Sequence, residues 1–137
     1  MSHCKRVAVY CRTAHEDDFA IGRQAEIVRN YAKKHGYDTL SLALYADNGA
    51  SGLVLDRPAF NRLKRHIAEG RRNAVIVSEM SRVSRNTFDV LAWINRLQQC
   101  GVSFVSVEDG ISDDVIERKG DLFQRLREYL ARQENLT

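Results

Sequence analysis

The chain is 137 residues long, 44% hydrophobic and 28% charged, with a formal net charge of +3 at pH 7; that is one domain with a real core, mildly basic, so a polyanionic partner is permitted without being demanded. No apolar run reaches membrane-spanning length and no signal peptide opens the chain. Cys4, Cys11 and Cys100 form an odd, scattered set that fits a reducing cytoplasm, and His3, His15, His35 and His66 have no metal-ligand spacing, so neither a disulfide framework nor a metal is expected.

Met1 to Lys5 is a polar lead-in. Arg6-Val-Ala-Val-Tyr-Cys-Arg12 is apolar on both parities and reads as a strand buried on both faces, which makes Cys11 a core residue. Thr13 to Phe19 is a polar loop with Glu16, Asp17 and Asp18 as capping acids. A helix follows from Ala20 to His35, with Ile21, Ala25, Val28 and Ala32 inward, Ile27 and Tyr31 widening the stripe, and Gly36 as its stop.

Asp38 to Tyr45 reads as a second strand with Leu40, Leu42 and Leu44 on one parity, and Ala46 to Gly52 as a loop by composition. Asp56 is a plausible cap for a helix that has Pro58 in its first turn, Phe60, Leu63 and Ile67 inward, and Gly70 at its end. Asn73 to Ser78 is the third strand. Ser78 to Asn86 is a strand-to-helix turn carrying Arg82 and Arg85, three residues apart, which point the same way if the helix has begun. The free N–H groups of that helix add to the attraction for an anion.

Thr87 to Gln99 is a helix with Phe88, Leu91, Ile94 and Leu97 inward and Trp93 as a packing residue. Val102 to Val107 is the fourth strand, Glu108 to Lys119 a polar stretch with a turn at Gly110, and Gly120 to Glu134 a last helix striped by Leu122, Phe123, Leu126, Tyr129 and Leu130. The alternation predicts an α/β domain spanning residues 1–137, built on a parallel sheet of four or five strands with helices on both faces.

Ligands of such sheets bind beyond the carboxyl ends of the strands. The first strand ends in Arg12, the second is followed by Ser51 and Arg57, and the third by Ser81, Arg82, Ser84 and Arg85. Four guanidiniums brought to one edge repel each other unless an anion sits among them, so a phosphate or phosphodiester site is expected. Glycine-rich nucleotide motifs are absent, which favours a nucleic-acid backbone over a mononucleotide.

These residues resemble the N-terminal catalytic domain of the resolvase/invertase family of serine recombinases. Val9-Tyr-Cys-Arg12, Gln24, Tyr45 to Gly52 with Asp56-Arg-Pro-Ala-Phe60, Arg82-Val-Ser-Arg-Asn86 and Glu108-Asp-Gly-Ile-Ser112 stand in the family's order and spacing. The resemblance implies site-specific recombination without metal or cofactor: a serine attacks the scissile DNA phosphate, leaving a 5′-phosphoserine link and a free 3′-hydroxyl. It implies that Arg12, Arg57, Arg82 and Arg85 hold that phosphate with Ser51 in the same cluster, that Tyr10, Gln24, Asp47 and Ser81 support them, and that the last helix makes a dimer contact.

The chain departs from that pattern at three places. Ala14 stands where the family has its nucleophile. Ser81 stands where the family has an aspartate, with Glu79 two residues earlier. Thr137 comes part-way along the expected helix, through which the family continues into a DNA-binding domain. The first expectation is therefore a nucleophile-deficient recombinase domain that binds DNA phosphates weakly, associates with itself through Leu122, Leu126, Tyr129 and Leu130, or pairs with an intact recombinase. A second is an active recombinase using Thr13 or Ser51; while the strand stays extended, however, Thr13 points away from the face shared by Tyr10, Arg12 and Ala14. A third is an anion-binding or signalling module that never meets DNA.

Overall fold

The computed structural model describes residues 5–51 and 56–112. The stripe of Leu122, Leu126, Tyr129 and Leu130, with the last helix expected to carry it, lies outside the described residues. Within them the order is β1 (Val7–Thr13), α1 (Asp18–Lys34), β2 (Ala43–Asn48), α2 (Pro58–Ala68), β3 (Ala74–Val77), α3 (Thr87–Gln99) and β4 (Ser103–Ser106). The strands form one parallel sheet in the order β2-β1-β3-β4. Among the described residues no helix is long and apolar enough to cross a membrane.

Strand periodicity sorts the core into two layers. Val7, Val9 and Cys11 of β1, with Ala74, Ile76 and Val105, pack against Val28 of α1 and the partly buried Ile21, Ala25 and Tyr31. Ala8 and Tyr10, with Val75, Val77 and Phe104, face the other way, onto Phe60 and Leu63 of α2 and Leu91, Trp93, Ile94 and Leu97 of α3. Every residue of β1 is buried, as its unbroken apolar run requires of a central strand covered on both faces. Trp93 stacks edge-on against Phe60 and Phe104, a packing residue.

Several local expectations need correction. The second strand starts at Ala43, after a 3-10 turn at Thr39–Ser41 that Asp38 caps, and it runs on through Asp47 and Asn48. Its inward parity is Tyr45 and Asp47, while Leu40 and Leu44 are 94% and 52% exposed. β2 is an edge strand, and pairing with β1 sets its register so that Tyr10 lies beside Tyr45 and Arg12 beside Asp47. Phe88, the second residue of α3, is 73% exposed, and the buried stripe of the helix is Val90, Leu91, Trp93, Ile94 and Leu97. Asp56 does not cap α2; its carboxylate accepts from the Asn61 side chain, and the helix end is closed from elsewhere.

Candidate functional site

The carboxyl ends of β1, β2, β3 and β4 share one rim, and the loops leaving them carry the residues singled out above. Asp47, 5% exposed at the end of β2, closes the N-terminus of α2 from across the sheet: Oδ1 accepts from Ala59 N at 2.8 Å and Oδ2 from Phe60 N at 2.9 Å. Oδ2 also accepts from the Tyr10 hydroxyl at 2.7 Å. That hydroxyl in turn accepts from Arg57 Nη1 at 2.7 Å. Burial and the bond to Asp47 push the Tyr10 phenol well above its ordinary range, opposed by Arg57.

Arg57 is 2% exposed. A buried guanidinium needs partners for its donors. Its Nη1 also reaches Arg82 O at 3.3 Å, its Nη2 donates to Val83 O, and the Phe60 ring lies beneath it, 5.0 Å from centroid to Cζ. Arg12, 3% exposed, is held the same way: Nε donates to Arg82 O at 3.0 Å, Nη1 to Ala50 O at 2.8 Å and Nη2 to Ser81 O at 2.9 Å. The two buried arginines thus tie the loop after β2 and the turn after β3 to the end of β1. Gln24 of α1 pins the same strand end, accepting from Arg12 N and donating to Arg12 O, each at 3.0 Å.

Arg82 belongs to a 3-10 turn, Met80–Arg82, and reaches the α1 side of the sheet. There Nη1 donates to Arg12 O at 3.3 Å and Nη2 lies 3.4 Å from the Glu79 carboxylate. Glu79 also accepts from the Ser81 hydroxyl at 2.9 Å. Arg85 is exposed in the bend before α3. Helix α3 has not begun at either arginine, and Asn86 caps it by accepting from Phe88 N and Asp89 N, so those N–H groups are not free. Ser84 is buried and accepts from Asn86 N.

The four arginines meet at one rim. Burial first, then repulsion by Arg57, Arg82 and Arg85, lowers the pKa of Arg12, with Tyr10 opposing. They do not surround a single hollow: Arg12 and Arg57 are turned inward onto carbonyl oxygens, Arg82 lies towards α1, and Arg85 is open to solvent.

Ala14 is exposed in the bend just past β1, presenting a methyl group. Thr13 is 6% exposed, its hydroxyl donating to Asn48 Oδ1 at 2.7 Å and accepting from Gly49 N at 3.0 Å. Both hydrogen-bonding roles of that oxygen are taken. Ser51 is exposed in the loop after β2. Cys11 is fully buried, and burial pushes its thiol up to about 12, partly offset by Arg82, which leaves it an inert core group.

Two contributors carried no role in the sequence reading. Asn48 is the latch of Thr13 and also accepts from Asp17 N. Asp109 accepts from Met80 N and from the Ser106 hydroxyl, fixing the turn that bears Arg82. Asp109 stood in a recognisable block, but nothing in the spacing names Met80 N as its partner, because that group lies in another connection.

The family described as Resolvase, N terminal domain matches residues 7–136. A protein of Bacillus subtilis (strain 168) named "Putative DNA recombinase" is 29% identical over 122 residues, 88% of this chain; the chain spans 23% of that relative's length. Among solved structures, the N-terminal catalytic domain of TP901-1 integrase is 28% identical with a TM-score of 0.78, over 96% of this chain and 98% of that one. A resolvase family site-specific recombinase from Streptococcus pneumoniae is 25% identical with a TM-score of 0.69, over 96% of this chain and 90% of that one.

Proposed function

We propose that this chain, which belongs to the resolvase N-terminal-domain family, is a serine-recombinase catalytic-type domain that grips DNA phosphates at the arginine rim and lacks the oxygen that would attack them. The observation that carries the reading is a combination. Four arginines from three connections gather at the strand ends, while Ala14 offers only a methyl group and the Thr13 hydroxyl is committed to Asn48 and Gly49.

In this reading Arg85 and Arg82 meet the DNA backbone, and Arg12 and Arg57 hold the loops that present them. Tyr10, Gln24 and Asp47 fix the positions of those arginines, and Ser51 and Ser81 flank the phosphate. No cofactor takes part. Glu79, bonded to Ser81 and beside Arg82, supplies a carboxylate close to the position where the family has an aspartate. The segment carrying Leu122, Leu126, Tyr129 and Leu130 would mediate self-association or pairing with an intact recombinase, which sedimentation of the chain with and without its last 18 residues would test.

Strand cleavage on a nicked duplex tests the central claim. The native chain is expected to retard DNA in low salt and to leave no covalent protein–DNA adduct on a denaturing gel. Ala14→Ser restores an alcohol that can attack the phosphorus, form the 5′-phosphoserine bond and expel the 3′-oxygen, which leaves as a protonated hydroxyl. An adduct formed by the native chain would overturn the reading, and its loss in Thr13→Ala or Ser51→Ala would name the unorthodox nucleophile. Absence of any DNA binding at low salt would favour a small-anion module instead.

A further inference from the structure

Between α1 and the ends of β3 and β4 lies a crevice of about 140 Å³, lined by Ala20, Arg23, Gln24, Ile27, Ser78, Arg82 and Glu108. It lies at the switch point of the sheet. β1 and β3 are neighbours, and the helices that follow them, α1 and α3, cover opposite faces, which opens a gap between the two connections. Ser78 continues the parity of Ala74 and Ile76, so its side chain is on the α1 face.

Two of the residues that line this crevice carry an unsatisfied polar atom. Ser78 Oγ and Arg82 Nε are both buried and have no hydrogen-bond partner. Ser78 itself is 1% exposed. Leaving buried polar groups unpaired is costly, and native proteins seldom do so. The Nε–H can only donate, and the serine hydroxyl can donate alongside it. An occupant that satisfies both must therefore offer acceptor oxygens.

Arg23 and Arg82 make the lining cationic, with Glu108 as the one opposing charge. Gln24 has its oxygen and one amide N–H engaged by Arg12, which leaves one N–H on Nε2. A single water needs roughly 10–15 Å³ of such space. The crevice is several times that size and has room for a tetrahedral anion.

We propose that this crevice is a second oxyanion site that takes a phosphate group, with Ser78 Oγ and Arg82 Nε as its donors and Arg23 at its mouth. It rests in part on the reading above, because Arg82 then serves both the crevice and the rim: it lines the crevice with Nε unpartnered, while Nη1 and Nη2 face Arg12 O and Glu79. The phosphate is either inorganic or part of a DNA strand, and the shared chemistry is the set of acceptor oxygens.

Titration of the full chain with inorganic phosphate, with chloride at matched ionic strength as control, tests this through the NMR signals of Arg82 Nε–H and the Ser78 amide. Saturable shifts specific to phosphate are expected. Affinity should fall about tenfold or more in Ser78→Ala, the loss of one hydrogen bond to an anion, and rise about twofold in Glu108→Gln, an exposed change that removes the opposing charge. No saturable shift overturns the proposal, and so does unchanged affinity in a folded Ser78→Ala. If Ser78→Ala does not fold, unchanged affinity in Glu108→Gln overturns it.

A short duplex then identifies the source. Shifts of the same two signals mean that a strand phosphate enters, whereas DNA binding that leaves them still while inorganic phosphate moves them assigns the site to the free anion. DNA binding with no crevice response to either ligand would sink this site and leave the recombinase reading standing. A crevice response to inorganic phosphate without DNA binding would do the reverse.

Discussion

The Tyr10 hydroxyl on β1 donates to Asp47 Oδ2 on β2 at 2.7 Å and itself accepts from Arg57 Nη1. One buried phenol therefore joins a cation from the start of α2 to the carboxylate that caps that helix. Asp47→Ala strips the cap and the acceptor of Tyr10 together, and should cost about 3 kcal/mol. Tyr10→Phe should cost about 1–2 kcal/mol. The double variant should lose less than the sum, since the two changes remove one shared network. Urea melts of the three variants check this.

Gly49 turns at φ +87°, and an added Cβ would lie 3.3 Å from Glu16 N. Its own N–H and that of Ala50 bond Thr13 O at 2.9 and 2.7 Å, so the turn cannot relax without releasing the end of β1. Gly49→Ala should destabilise by about 1–2 kcal/mol. A melt unchanged within error would show that the loop after β2 is not anchored as described.

The exposed and buried arginines should separate in two assays. Arg85→Gln should leave the melting curve nearly unchanged, reduce DNA binding and lower the slope of log affinity against log salt by about one. Arg57→Gln should instead destabilise the fold by about 2–3 kcal/mol, because it leaves Val83 O and the Tyr10 hydroxyl without their donor. Equal effects of both changes on stability would contradict the geometry.

Cys11 predicts an alkaline weakness. Its folded pKa, about 12, lies above that of an unfolded thiol, so the unfolded chain releases the proton first. The resulting stability is complete below the unfolded pKa and drains as pH rises towards the folded one, at up to about 1.4 kcal/mol per pH unit. Native protein should therefore lose stability between about pH 9 and 11 more steeply than Cys11→Ala, although the variant starts lower. At pH 8 the exposed Cys100 should react with a thiol reagent while Cys11 stays protected. Parallel pH curves for the two proteins would remove Cys11 as the cause.

Much of the architecture was legible because local pattern and tertiary environment agree. The apolar run of β1 needs two covered faces, and α1 and α2 with α3 supply them. The bounds of α3 match their sequence reading, between the Asn86 cap and Gly101. Leu40 and Leu44 misled because alternation gives a period without saying which phase faces inward. On an edge strand that choice belongs to the partner, and pairing with β1 gave it to Tyr45 and Asp47.

The sequence by itself determined which residue types gather at the strand ends and the methyl at Ala14, since βα alternation in a parallel sheet delivers every such connection to one rim. Only the tertiary structure decided how they share that rim. A guanidinium's direction depends on which carbonyl oxygens the neighbouring connections bring within about 3 Å, and those neighbours are remote in sequence. That is why Arg12 and Arg57 became internal struts, Arg85 stayed in solvent, and Ser78 and Arg82 came to line a crevice beside α1.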